Sequence, residues 1–475
     1  MTHADSHMSR AEVLGSIGAL ALALATGGCE QIAQQIANRP TRRNIANLAS
    51  NDPILATYRS AISKMQGPQT TAAFGWAFQA NIHANHCPHG NWWLFPWHSA
   101  YLVYFERIVR QLTGDTTWAI PYWNWTIANT VPAVFYNNDS LHDPTEGPTP
   151  VTESQEFVGH GVLEGILAET NFELFAGGAA TSQQQYVQPG GIESIPHNNV
   201  HSSFPGDMAH IPTSALDPIF WCHHSMVDYC WVDWQFARHN ANTNDPAWGN
   251  MTFSDFYDQN GQKVNTLAAI TPLFAIFDYQ YEPSQIGNQV DTIKAVRTHR
   301  DADKLKAIVQ RGAPSTIPVL QRFPLPGAIE VSAGAAAVGR IPVGKDALTA
   351  AAQAGSGKRV LLRLQHVEPP AKADVFVRVF VNAPGAVSDR TPISDPHYAG
   401  SFAFFLMGEE AGAKMNMAGD FVVDITQTLR RIGAANALDV QLVAVPYPGR
   451  EAKARGFKVG GLELEIARLG ATTKP

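Results

Sequence analysis

Histidine is the residue type whose spacing most clearly suggests chemistry in this 475-residue chain, because eight of its seventeen copies form two dense groups. The histidines of these two stretches are His83, His86, His89, His98, His197, His201, His223 and His224. His197 and His201 are four residues apart, so both imidazoles can point the same way from one turn of a helix. Grouping of this kind predicts metal ligands.

The chemistry of the donor set narrows the choice of metal. Imidazole binds copper, zinc, iron and nickel, so histidine alone does not select one of them. Neither stretch places an obvious carboxylate among its histidines, which favours copper over a di-iron centre or a zinc hydrolase site. A single histidine in an apolar segment is more often a buried core residue. Two spaced triplets in tryptophan-rich helical segments are much harder to explain in that way.

Several motifs around these histidines resemble a known family. Residues 89–98 (His-Gly-Asn-Trp-Trp-Leu-Phe-Pro-Trp-His) resemble the first-copper signature of tyrosinases, plant polyphenol oxidases and molluscan haemocyanins. Residues 217–224 (Asp-Pro-Ile-Phe-Trp-Cys-His-His) resemble the second-copper signature. The connecting segment 120–125, the tyrosine pair of 279–281 and the C-terminal segment 395–402 are also similar to family segments. The resemblance is strong over 41–282 and weaker over 358–468.

The resemblance implies a ligand set of three histidines for each copper ion. These would be His83, His89 and His98 for the first ion, and His197, His201 and His224 for the second. His86 is the alternative to His83, which matches better because it ends a predicted helix. The family pattern selects the second member of the pair 223–224, so His223 is expected to be a neighbour.

The resemblance extends to a covalent feature beside the first copper. Cys87 and His89 are similar to the fungal and molluscan arrangement, in which the cysteine sulfur is bonded to a carbon of the imidazole. Such a thioether would lock the orientation of a ligand ring. The alternative is a buried thiol.

The activity that the resemblance implies is oxidation of catechols to o-quinones with dioxygen and, in tyrosinases, ortho-hydroxylation of monophenols. Phenolate rather than phenol coordinates copper, and a phenol has a pKa of about 10, so hydroxylation near neutral pH needs a base. Asn198 and Glu193 resemble the family pair that holds a proton-accepting water. The alternatives are a catechol oxidase without monophenolase activity, which sequence separates poorly, and a haemocyanin-like oxygen-binding protein.

Three further positions bear on the choice of substrate. Ile211 aligns with the position that often carries a bulky gate over the coppers, and an aliphatic residue there predicts an open site. The family usually has arginine where this chain has Ser99, directly after the third ligand. It also usually has arginine after the aspartate that Asp228 matches, where this chain has Tyr229. Loss of two cations predicts altered electrostatics near the site.

The elements that must position these residues divide the chain into two kinds of structure. Helix signals dominate from about 50 to 240, with Asp52-Pro53 and Asp217-Pro218 as helix starts. From 358 onward, apolar runs alternate with turn residues and predict strands. We therefore expect a mainly α catalytic domain, a four-helix bundle holding a dicopper centre, followed by a C-terminal antiparallel β-sandwich.

The expected domains are an export signal (1–30), the dicopper catalytic domain (31–282), a linker (283–357) and the β-domain (358–470). The β-domain is expected to cover the active-site mouth and to keep the enzyme latent. Arg10 precedes an apolar run that ends in Thr-Gly-Gly-Cys29, which predicts export in a bacterium, to the periplasm, the medium or a membrane-anchored lipoprotein. A lipoprotein site at Cys29, a twin-arginine-like signal and an ordinary cleaved signal remain alternatives.

Composition argues against a nucleic-acid-binding protein. The formal net charge is −7 and no basic run suggests binding of nucleic acid. Cys222 and Cys230 are expected on one helix, where eight residues rise roughly 12 Å, too far for a disulfide. Phenolic substrate and dioxygen are the expected partners.

Overall fold

A computed structural model describes residues 38–68, 70–282, 312–408, 417–450 and 456–468. The expected export signal with Cys29, and residues 283–311 of the expected linker, lie outside this part of the chain. Within it, no helix combines the length and the apolar character needed to cross a membrane.

The α-helices, labelled α1 to α12 in chain order, are Pro53–Met65, Trp76–His86, Leu94–Thr113, Gln155–Val158, His160–Leu167, Phe172–Ala176, Asn198–Ser203, Pro218–Val232, Pro246–Gly249, Phe274–Phe277, Lys345–Ala352 and Thr426–Ile432. The strands, labelled β1 to β12, are Thr41–Arg42, Thr252–Tyr257, Lys263–Leu267, Gln280–Tyr281, Val319–Val331, Ala337–Pro342, Lys358–Glu368, Val375–Val381, Tyr398–Ala403, Gly419–Asp424, Ala437–Pro446 and Phe457–Arg468. Two π-helical turns, Glu193–His197 and Asp233–Ala237, lie directly before α7 and directly after α8.

The chain divides into two compact units that do not follow the expected domain boundaries. Unit 1 comprises Met1–Cys87, Trp93–Thr152 and Thr213–Ser315, and unit 2 comprises Pro88–Trp92, Glu153–Pro212 and Thr316–Pro475. Unit 1 therefore contains α1, α2, α3 and α8. Unit 2 contains the short helix α7 together with the C-terminal strands.

The helices of unit 1 begin where the sequence predicts. The Asp52 side chain accepts a hydrogen bond from the Ile54 N–H at 2.9 Å, and Asp217 accepts from the Ile219 N–H at 3.0 Å, so both aspartates are helix N-caps. Every residue of α8 is buried. Phe105 of α3 stacks on Trp221 of α8 with ring centroids 3.7 Å apart, which fixes these two helices against each other.

The β-domain of unit 2 consists of two four-stranded antiparallel sheets, with strand orders β10-β7-β12-β5 and β6-β11-β8-β9. Alternate residues of β8, such as Val377 and Val379, belong to one apolar core with Leu362 of β7 and Leu464 of β12. The expected fold class, a mainly helical part followed by an antiparallel β-domain, is confirmed.

The structure differs from the expected organisation between residues 312 and 357, which the sequence suggests as a linker. β5 and β6 lie there, and they pair with β12 and β11 respectively, so the β-domain begins well before residue 358. Pro324 and Pro326 obscure β5 in the sequence, yet proline is tolerated on it because β5 is the edge strand of its sheet. A hairpin, β2–β3, lies among the helices of unit 1.

Candidate metal centre

Three of the expected ligands, one each from α2, α3 and α8, converge in unit 1. His83, His98 and His224 are buried, and each has a ligand atom within 4.8 Å of those of the other two. The rings of His98 and His224 stack at 4.3 Å, and His83 lies 5.5 Å from His98 between ring centroids. Phe220 packs against the His83 ring at 4.8 Å and helps to fix its orientation.

Hydrogen bonds set the chemical form of these histidines. His98 Nδ1 lies 2.8 Å from the Leu94 carbonyl oxygen, which accepts the Nδ1–H and leaves the Nε2 lone pair for a metal. His223, expected to be a neighbour and not a ligand, accepts a hydrogen bond at Nδ1 from the Trp125 indole N–H at 3.3 Å. The indole of Trp125 is therefore a partner of His223 in the structure.

The structure distinguishes His83 from His86, the two alternatives for the first ligand. His83 is fully buried beside His98. The His86 side chain is 49% exposed, and its Nδ1 lies 3.4 Å from an oxygen of Asp255. Of the two, His83 is therefore the one that lies with other expected ligands.

The remaining three expected ligands lie together in unit 2. His197 and His201 are four residues apart across the π-helical turn and α7, with ring centroids 4.6 Å apart, and the His89 ring is 5.7 Å from that of His197. All three are buried. Pro196 has no N–H to continue an α-helical hydrogen-bond ladder, which accounts for the π-helical turn before α7.

These imidazoles are also held by acceptors at Nδ1. His201 Nδ1 lies 3.0 Å from the Met208 carbonyl oxygen, and His197 Nδ1 lies 2.9 Å from Asn198 Oδ1. Burial lowers the pKa of His197 to about 4, so its imidazole is neutral at physiological pH, as a metal ligand must be. Buried imidazoles with Nδ1 occupied by an acceptor suit copper through Nε2.

Glu193 and Asn198, the two residues expected to hold a proton-accepting water, are buried in unit 2. Glu193 Oε1 accepts a hydrogen bond from the Gly90 N–H at 2.7 Å, and burial raises the pKa of Glu193 to about 8. Gly90 has φ +64° and packs on Tyr186, whose ring would lie 2.3 Å from an added Cβ. Glycine thus allows this close approach. Asn198, bonded to His197, directly follows that expected ligand.

A segment of the β-domain covers the histidines of unit 2, and sequence analysis did not identify it. The Phe405 ring stacks on His201 at 3.9 Å with an interplanar angle of 12°, and its centroid lies 5.3 Å from that of His89. Asn198 Nδ2 donates to the Ala403 carbonyl oxygen at 3.1 Å, and Ser202 donates to the Phe404 carbonyl oxygen. We call residues 403–406 the plug segment.

Two further expected positions have defined surroundings. Ile211, the expected gate, is buried, and its N–H donates to the Leu406 carbonyl oxygen at 2.9 Å, so it pairs with the plug segment. Cys87 is buried and follows α2 as its C-cap, with its N–H bonded to the His83 carbonyl oxygen at 3.2 Å.

Unit 1 contains a buried cation, Arg42, although the chain lacks the two arginines that the family usually has at the positions of Ser99 and Tyr229. Arg42, brought in by β1, bonds Asp228 at 2.9 Å and Glu106 at 2.8 Å. Tyr279 donates to the same Asp228 oxygen at 2.6 Å. Tyr229 stacks on Tyr122 at 5.1 Å with an interplanar angle of 8°. Arg42 is thus a single cation shared between Asp228 and Glu106.

Comparison with known proteins agrees with this site. The family model described as the common central domain of tyrosinase matches residues 69–178 and 152–237. The model described as the chloroplastic polyphenol oxidase C-terminal domain matches residues 336–465. The two matched regions contain all six expected ligands and most of the β-domain.

Individual relatives extend the similarity along the chain. A tyrosinase of Hahella sp. (strain CCB-MM4) is 25% identical over 82% of this chain and 91% of its own length. Polyphenol oxidase B of Solanum lycopersicum is 25% identical over 88% of this chain and 76% of its own length. The solved structure of latent apple tyrosinase shares the fold, with a TM-score of 0.65 at 22% identity, covering 90% of this chain and 97% of its own.

The matched domains, the relatives and the buried histidine groups lead to one assignment. The chain belongs to the tyrosinase and polyphenol oxidase family of type 3 copper proteins, oxidases whose cofactor is a pair of copper ions.

Proposed function

We propose that the chain is a phenol oxidase that uses dioxygen to ortho-hydroxylate monophenols and to oxidise catechols to o-quinones. The observation that carries the monophenol step is the pair formed by Asn198 and Glu193. Asn198 is bonded to the ligand His197, and Glu193 is a buried carboxyl bonded to the N–H of Gly90, next to the ligand His89. The Hahella relative, a tyrosinase, supports the same activity.

The ligand assignment that we propose follows the family pattern. His83, His89 and His98 would hold one copper ion, and His197, His201 and His224 the other. When bound, the copper pair would supply the activation of dioxygen and accept electrons from the phenol. The protein's part is to hold neutral imidazoles in fixed orientations, to exclude water and to place a proton acceptor near an incoming hydroxyl.

Proton removal is the step that this chain's own residues would perform. A monophenol must lose its hydroxyl proton before its oxygen can bind copper, and a neutral phenol holds that proton up to pH of about 10. A water held by Glu193 and the Asn198 amide would accept it. Because Asn198 Nδ2 donates to Ala403 in this structure, the amide can hold that water only after the plug segment moves away.

The test compares two substrates in one protein. Asn198→Gly and Glu193→Gln should lower the rate with a monophenol about a hundredfold, the lower end of the range for general base catalysis, while the rate with the matching catechol changes little. Glu156→Gln, in the same unit, serves as the control for a change of buried carboxyl and should change both rates by the same factor. Equal losses with both substrates would contradict the assignment and favour a catechol oxidase without monophenolase activity.

The buried base also separates the proposal from a haemocyanin-like oxygen carrier. An oxygen carrier has no use for a proton acceptor beside its ligands. Oxygen uptake in the presence of catechol would exceed one molecule per chain if the protein is an enzyme. Uptake that stops at one molecule per chain would favour the carrier.

We also propose that the enzyme is latent while the plug segment covers the histidines of unit 2. Phe405 lies on the ring of the ligand His201, where a flat aromatic substrate would otherwise approach. Ile211, proposed as the gate for substituted phenols, is tied to the same segment through Leu406. The fold is shared with latent apple tyrosinase, which supports the proposal.

Two proposals concern covalent processing. A thioether between Cys87 and His89 would leave a peptide two hydrogens lighter than the sequence requires, and a peptide of full mass would exclude it. Export in a bacterium is proposed from the apolar run before Cys29. The mass of the mature N-terminus would distinguish a lipid-bearing Cys29 from a plain cleaved signal and from an uncleaved chain.

A further inference from the structure

The short helix α7 and the residue directly before it, His197, carry three polar pairs, each with its members four residues apart, on three different stripes of the helical surface. His197 and His201 form the stripe of expected copper ligands. Asn198 and Ser202 form a second stripe, which donates to the carbonyl oxygens of the plug segment. The third pair is Asn199 and Ser203, each of which directly follows a member of the second pair in the sequence.

The third stripe binds a single carboxylate from elsewhere in unit 2. Glu153 Oε2 accepts a hydrogen bond from Asn199 Nδ2 at 2.7 Å, and Glu153 Oε1 accepts from Ser203 Oγ at 2.6 Å. Glu153 is 1% exposed, so these bonds are protected from water. One side chain thus holds α7 at two points, one turn apart.

Such an anchor matters because α7 has little stability of its own. It is six residues long, and the preceding turn, which contains Pro196, is π-helical. A helix of this length is not stable without outside contacts. Its orientation, and with it the direction of both imidazoles, depends on the side-chain bonds that its three stripes make.

We propose that Glu153 is the positioning residue that keeps His197 and His201 aligned for copper when the plug segment has left. This proposal rests on the proposed function. In the closed form α7 is held from two sides, by the plug segment and by Glu153. In the open form the plug's bonds to Asn198 and Ser202 are gone, and Glu153 takes on the alignment of the ligand stripe.

The effects of losing Glu153 and of losing the plug segment on copper retention are expected to be non-additive. Glu153→Ala in the otherwise unchanged protein should speed removal of copper by a chelator by no more than about twofold. The same substitution in an opened background, Ser202→Ala with Phe405→Ala, should speed it by about tenfold, the lower part of the range for residues that orient metal ligands. Hydrogen exchange of the backbone amides of 198–204, measured without metal, should rise in the same order.

A conservative variant distinguishes positioning from charge. In Glu153→Gln the amide oxygen can still accept from Asn199, while the new NH₂ can donate to Ser203 Oγ. Ser203 Oγ can act as that acceptor because it also lies 3.0 Å from the Val200 carbonyl oxygen, to which its own hydrogen can be given. Glu153→Gln should therefore restore slow copper loss and slow exchange in the opened background.

The controls come from the same region. Asn199→Ala with Ser203→Ala removes the same two bonds from the helix side and should reproduce Glu153→Ala, which covers the case of misfolding in Glu153→Ala. Glu156→Gln, a buried carboxyl three residues away that binds Arg378, should leave copper loss in the opened background unchanged.

The results separate this proposal from the proposed function. Equal effects of Glu153→Ala in both backgrounds, or no restoration by Glu153→Gln, would overturn the positioning role while the oxidase remains. A protein that binds no copper would overturn the proposed function. The exchange measurement without metal would still decide whether Glu153 holds α7.

Discussion

Replacing Phe405 with alanine should remove most of the proposed latency. The Phe405 side chain is 3% exposed and stacks face to face on His201. Burial of a phenylalanine contributes about 1.5–3 kcal/mol, and an aromatic pair adds about 0.5–1.5 kcal/mol. The ring would therefore favour the closed form by roughly 2–4 kcal/mol. At about 1.4 kcal/mol per factor of ten, this corresponds to a roughly 30- to 1,000-fold suppression.

The assay is oxygen uptake with catechol, normalised to bound copper, before and after loosening the protein with a mild detergent. Wild type should start low and gain strongly on loosening. Phe405→Ala should start near the loosened wild-type rate and gain little. The neighbouring Phe404 provides the matched control, because its ring packs on Phe421 at 5.7 Å in the β-domain core and not on a histidine.

Phe404→Leu should keep the low starting rate. The reasoning would be refuted if Phe405→Ala started as low as wild type and gained as much on loosening. It would also be refuted if Phe404→Leu and Phe405→Ala behaved alike, since a general loosening of the β-domain would then explain both.

Three further predictions follow from contacts in unit 2. Glu156 accepts hydrogen bonds from Arg378 Nη2 at 2.8 Å and from Ser401, which lies four residues before Phe405. Glu156→Gln should therefore weaken docking of the plug segment by about 1–3 kcal/mol and lower the detergent concentration at half-activation, and an unchanged midpoint would argue against this anchor. Ile211→Phe should lower kcat/KM for bulky catechols more than for catechol itself, and an unchanged ratio would remove Ile211 from the gate. Burial raises the pKa of Glu153 from its ordinary 4.5 to about 8. Between pH 4.5 and pH 8 the folded protein therefore holds a proton that the unfolded chain releases, and the free energy of unfolding falls as pH rises. Glu153→Gln should flatten that fall in the metal-free protein, measured as Tm from pH 5 to pH 8; an identical slope would show that Glu153 does not titrate in this way.

The parts of the site that sequence predicts are those encoded by local patterns. Asp52-Pro53 and Asp217-Pro218 place helix starts because the capping chemistry lies within two or three residues. All six expected ligands are buried, but their grouping in the two units differs from the expected triplets. His89 lies with His197 and His201 in unit 2, and His224 lies with His83 and His98 in unit 1. Most strands from β7 onward follow from apolar runs separated by turn residues, but β10 was not predicted in this way.

The parts that sequence did not reveal depend on contacts between distant residues. Phe405 belongs to the aromatic run 402–405, which reads as an ordinary strand. In the structure β9 ends at Ala403, and Phe405, two residues further on, stacks on His201. The run of aromatics past the strand end was the available signal. Glu153 gave no signal, because its partners Asn199 and Ser203 lie nearly fifty residues away.

β5 and β6 were hidden for a different reason. Their sequence is rich in Gly, Pro and Ala, the composition of a linker, and the alternating pattern on β5 is weak because most of that edge strand is exposed. Edge position relaxes the demand for buried side chains and for every N–H. Pairing with β12, which is more than one hundred residues later, makes β5 a strand.

Metal content measures the central claim most directly. The purified chain, reconstituted with copper and freed of excess, should contain two copper ions per chain by elemental analysis. Replacing His98 in unit 1 or His201 in unit 2 with alanine should each reduce that number to about one. A chain that retains no copper, or variants that both keep two ions, would contradict a copper pair held by these histidines.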